Sequence, residues 1–75
     1  MGATITTTNL GRVGGELAES LAWLNSPGRI HAEIARLEGL QREGDTSPAT
    51  AALLNDWHSV RDAQRRLVGE EKAHG

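Results

Sequence analysis

The sequence predicts an all-α fold: three short amphipathic helices, arranged as a helical hairpin with an additional N-terminal helix. Three observations carry this. The dipeptides Ser26-Pro27 and Ser47-Pro48 repeat one helix-start signal. In each, a serine hydroxyl can accept from the free N–H groups of a first turn, and proline takes the first helical position, where its missing N–H costs nothing. Apolar residues recur at three- and four-residue intervals in three stretches, the period of a helix with one buried face. No segment sustains the alternation of a half-buried strand, and strand formers are scarce beyond the N-terminal threonines.

Each element follows in order. Residues 1–9, with Thr4, Thr6, Thr7 and Thr8 around Ile5, have no helical pattern and read as a flexible tail, or an arm that orders on a partner. Residues 10–73 then form a single helical domain. The first helix, about 10–25, carries Leu10, Val13, Leu17, Leu21 and Leu24 on one face. Gly11, Gly14 and Gly15 each cost ~1 kcal/mol in a helix interior, so its start falls between residues 10 and 16. The second helix, about 27–43, carries Ile30, Ile34, Leu37 and Leu40, with Gly44 as its stop. The third, about 48–72, carries Ala49, Leu53, Trp57, Val60, Ala63 and Leu67. Glu38–Arg42 and Asp62–Arg66 are acid-before-base pairs four apart, the order that supports a helix.

Composition turns this fold into an argument about assembly. The chain has 75 residues, 37% of them hydrophobic, and its only aromatics are two tryptophans. A domain this small buries a modest share of its unfolded surface and usually needs a staple. With no cysteine there is no disulfide, and no ligand set for structural zinc is evident. The expected remedy is completion of the three narrow stripes as a dimeric or higher oligomeric helical bundle. Leu17, Leu21, Leu53, Trp57, Val60, Gln64 and Leu67 are the expected interface, with Gln64 as a polar register-setting residue within an apolar face. Net charge of −2 argues against general affinity for nucleic acid or anionic membrane. No apolar run is long enough to span a bilayer, and the start does not resemble a signal peptide. The expected location is the cytoplasm. The opening Met-Gly-Ala-Thr-Ile-Thr fits the short N-myristoylation pattern, but no polybasic segment follows to supply a second membrane signal.

Three features suggest function. Trp23 falls off the leucine stripe, beside Glu16 and Glu19. Either it folds over the first connection to cover Ile30 or Ile34, or it is a binding anchor, a role for which tryptophan is enriched. Gly11, Gly15, Ala18 and Ala22 form a line of small residues, read either as a close-approach surface or as a loop followed by two chance alanines. Leu54, His58, Arg61, Arg65 and Lys72 form a basic stripe beside the core face of the third helix. That stripe is either a solvated or intersubunit-charge face, or a grip for an acidic partner, a phosphate or a nucleic-acid backbone.

No catalytic, metal or cofactor site is expected. His31, His58 and His74 lack the spacing that places two ligands on one helix face, and so small a chain leaves little room for a water-excluding pocket. The expected function is therefore non-enzymatic: a small regulator, inhibitor or adaptor, of a kind that bacteriophages also encode, which binds another protein and occludes its working surface. Trp23, Leu54, His58, Arg61 and Arg65 are the expected contact residues. Competing classes are a nucleic-acid-binding transcriptional regulator, a structural assembly subunit, and an oligomer that sequesters a small ligand between its subunits.

Overall fold

The computed structural model describes the backbone of residues 4–74 and the side chains of residues 4–69. A short 3₁₀ turn, Thr7–Asn9, precedes three helices: α1 Gly15–Leu24, α2 Pro27–Arg42 and α3 Pro48–His74. No strand occurs among the described residues. The architecture is a small all-α helical bundle in which α3 is the spine. Both α1 and α2 pack along α3 and do not approach each other closely. Twenty-seven residues make α3 about 40 Å long, which sets the 44 Å long dimension of the molecule.

The hairpin α2–α3 follows from local chemistry. Ser26 Oγ accepts from the N–H of Arg29 at 3.2 Å, with Pro27 at the first helical position. At the other end Gly44 adopts φ +108°, a left-handed conformation that side chains resist. Its N–H bonds to Gln41 O (3.1 Å), and the N–H of Asp45 reaches back to Leu40 O (3.0 Å). These paired bonds are the Schellman closure of a helix. Three residues later Ser47 Oγ accepts from Thr50 N–H at 3.3 Å and starts α3. The second and third helices thus begin where the Ser-Pro signals place them, and α2 stops at its glycine.

The first helix starts late in the expected window and differs from expectation in rotation. Gly11 has φ +75°, outside the right-handed helical region, so residues 10–14 form a turn and α1 begins at Gly15. Its buried face is Ala18, Leu21 and Ala22, not the stripe through Leu17, Leu21 and Leu24. Leu17 is exposed, and Leu24 is 56% exposed. The face is rotated by roughly a quarter turn because two alanines four residues apart let α1 lie close to α3, which brings the bulk: Trp57 and Val60. Of the line of small residues, Ala18 and Ala22 serve close packing, while Gly11 belongs to the turn.

The segment before α1 also departs from the expected tail. Ile5, only 8% exposed, and Val13 join the core cluster with Ile30, Ile34, Leu37, Trp57, Val60 and Ala63. The arm is fastened by Gly11 N–H donating to Asp56 Oδ2 at 2.8 Å. Met1 and Gly2, which carry the myristoylation pattern, lie outside the described residues. Of the acid–base pairs expected to support the helices, neither Glu38–Arg42 nor Asp62–Arg66 is an ion pair. The described residues pair instead as Glu33–Arg36 at 2.9 Å and Arg61–Asp62 at 3.6 Å. Exposed pairs of this kind contribute about 0–1 kcal/mol, so the choice among them leaves the fold unchanged.

Candidate functional site

The end of α1, the start of α2 and the second half of α3 meet at one side of the bundle. With Ala22 turned into α3, the next side chain on the helix turns outward, and Trp23 is 69% exposed. The other tryptophan, Trp57, is 1% exposed. Trp23 therefore does not fold over Ile30 or Ile34, which are buried without its help.

Two polar residues hold this end in place. Asn25, buried, ends α1: its backbone N–H and its Nδ2 both donate to Leu21 O, at 3.1 and 2.8 Å. From α3, Gln64 Nε2 donates to Ala22 O at 3.3 Å and to Asn25 O at 3.4 Å. A helix C-terminus leaves carbonyls without intrahelical partners, and Gln64 supplies donors to two of those at the end of α1. Its amide works inside one chain. Expected as a register-setting contact between subunits, it here bonds to carbonyls on either side of Trp23.

Around Gln64 the surface is hollow. A depression of about 330 Å³ is lined by Pro27, Gln64, Arg65, Val68 and Gly69. Beside it lies a recess of about 90 Å³, walled by Ala22, Trp23, Gln64, Leu67 and Val68. Gln64 and Val68 border both, so the two adjoin, with Trp23 lining one and Arg65 lining the other. The surroundings are apolar: Val68 is 44% exposed, and the floor includes Gly69, where an added Cβ would meet nothing within 4 Å. Arg65 is exposed and forms no ion pair among the described residues.

Of the expected contact residues, the structure brings Trp23 and Arg65 to this hollow. Leu54, His58 and Arg61 lie farther along α3, and the stripe they form is not an open basic face. Leu54 packs against the core cluster. His58 Nε2 and Arg61 Nε are shielded from solvent and have no hydrogen-bond partner; the 3.6 Å approach of Arg61 Nε to Asp62 is an ion pair too long to count as one. The Lys72 and His74 side chains, and that of Glu70, lie outside the described residues. Most side chains of the expected subunit interface are buried or partly buried within the chain. Leu21, Trp57 and Val60 are fully enclosed, and Leu53 and Leu67 lean on the same core. Leu17 alone of that set is classed as exposed, because α1 is rotated.

Sequence reasoning missed Asp56, which is 1% exposed and holds the N-terminal arm. The signal was present: Asp56 follows Leu53 by three and precedes Val60 by four, so it shares the apolar face. Among the described residues its Oδ1 has no hydrogen-bond partner. Just before α3, the Ser47 backbone N–H holds the Asp45 carboxyl below the usual carboxylate range, helped by the Thr50 and Ser47 hydroxyls and opposed by desolvation.

Among the described residues no group of three His, Cys, Asp or Glu is placed to hold a metal ion, and no helix is long and apolar enough to cross a membrane. No family model, curated protein or solved structure matches the chain.

Proposed function

We propose that this chain is a non-enzymatic protein-binding module that acts by covering a partner's working surface, as regulators, inhibitors and adaptors do. The contact face is the hollow between Trp23 and Arg65. The observation that carries this reading is Trp23, 69% exposed at the edge of an apolar depression. Leaving an indole in water forgoes a large burial energy, and Trp and Arg are the residue types most enriched among binding hot spots. Their placement on opposite sides of one hollow gives a partner an apolar anchor and a charge-assisted hydrogen bond at the same time.

Site-specific cross-linking tests the reading. A photoreactive amino acid is placed at Trp23, at Arg65 or, as a control on another face, at Arg36, in cells that make the protein. The expected result is one foreign protein captured from both Trp23 and Arg65 and not from Arg36. That capture should be lost when Val68→Asp is added. Equal capture from all three positions, or none from Trp23 and Arg65, refutes the proposal.

A further inference from the structure

We infer that, in the free protein, a second copy of this chain fills the hollow: Trp23 of each copy enters the depression of the other in a twofold-symmetric dimer. The inference rests on the reading of this face as a protein-binding surface and names its occupant when no other partner is present.

A twofold interface brings the same patch of both copies together, so that patch must contain a protrusion and a matching hollow side by side. This one does. Trp23 rises from the wall of the smaller recess, and the larger depression opens directly beyond the shared walls Gln64 and Val68. A twofold axis near Val68 carries each indole across its neighbour's Val68 into the space bounded by Pro27, Arg65 and Gly69. The space suffices: an apolar cavity of about 150 Å³ takes up benzene, and about 330 Å³ is open here. Its chemistry suits an indole as well, with a proline ring and a valine for apolar contact and the Arg65 guanidinium for the ring face.

Charge is complementary in the same sense. Glu16 and Glu19 share the outward face of Trp23 on α1, a helix with no basic residue. Both are exposed and neither forms an ion pair among the described residues, as is true of Arg65 beside the hollow. Docking Trp23 into a second copy moves an acidic helix face toward the partner's Arg65, twice per dimer.

Sedimentation equilibrium on the full chain, from micromolar to submillimolar concentration, tests this with two variants. Trp23→Ala removes the protrusion and Gly69→Leu fills the hollow. Neither substitution removes a buried contact, and leucine is the better helix former at position 69. The expected result is a wild-type dimer and a dissociation constant raised about 30-fold or more in each variant, the effect of losing a hot spot. Mixed together, the two variants form a heterodimer, because one keeps the hollow and the other the protrusion. A wild-type chain that stays monomeric overturns the inference. So does either variant dimerising like the wild type, or a mixture no better than its parts. Cross-linking decides the protein-binding reading separately, since it scores adducts of foreign mass rather than of twice the chain mass.

Discussion

The two ends of the bundle are built differently. At the α2–α3 connection every hydrogen bond is local: Gly44 and Asp45 close one helix on Gln41 and Leu40, and Ser47, Asp45 and Thr50 open the next. At the α1–α2 end the ties that matter come from far along the chain. Gln64 reaches Ala22 and Asn25. Of the large hydrophobics exposed among the described residues, Trp23, Leu24 and Val68 lie at the long-range end. Where helix ends satisfy themselves, nothing is left over for binding. Where a distant side chain must hold them, the residues beside it can be spent on a surface.

Substitutions can separate the two ends. Trp57 lies beneath both as the largest fully enclosed side chain. Trp57→Ala is expected to cost about 3–5 kcal/mol and to abolish cooperative unfolding at both ends together, measured by chemical denaturation. Gly44→Val forces a β-branched residue to φ +108° and is expected to cost about 1–3 kcal/mol. Hydrogen exchange should then accelerate at the α2–α3 connection before it does in α1. Gln64→Ala takes the donor from two carbonyls at the end of α1 and is expected to cost about 1 kcal/mol, with the opposite pattern: faster exchange over residues 18–25 and an unchanged connection at 40–50. If Gln64→Ala loosens both ends equally, the division is wrong.

The same division explains what the sequence disclosed. Ser26-Pro27, Ser47-Pro48 and Gly44 act through neighbours within five residues, so α2, α3 and their connection are legible from local chemistry alone. The apolar period of α2 and α3 needs nothing further, since Ile30, Ile34 and Leu37 face Trp57, Val60 and Ala63 in the core cluster. Helix α1 was misread because two periodic faces compete within it. Leucine spacing favours Leu17–Leu21–Leu24, but Ala18 and Ala22 permit the closer approach to α3, and that preference depends on the bulk of Trp57, more than thirty residues away. Trp23 stood out because it breaks the leucine pattern. The hollow beside it was not legible, because Pro27, Gln64 and Gly69 meet only after folding. Asp56 was hidden by its charge: a carboxylate on an apolar face looks misplaced until Gly11 arrives to donate to it.

The finest test concerns Asp45, which belongs wholly to the local end. Its carboxylate accepts from Ser47 N–H at 2.9 Å and from the Thr50 hydroxyl at 2.8 Å, and its own N–H closes α2. These bonds favour the charged form, and the pKa in the folded chain is lowered. A lowered folded value means that Asp45 contributes its full stabilisation above the ordinary carboxylate pKa of the unfolded chain. That contribution declines as pH falls through the unfolded and then the folded value, and it vanishes below both. The group is open to solvent, so the effect is small and screened by salt. Asp45→Asn retains an acceptor of similar shape but cannot titrate. Thermal melts of the two proteins should differ modestly at neutral pH, wild type higher, and converge as acid protonates Asp45, with every other carboxylate cancelling in the comparison. A difference that persists unchanged in acid would assign Asp45 a purely geometric role in the cap, whereas convergence ties the closure of this end to one charge.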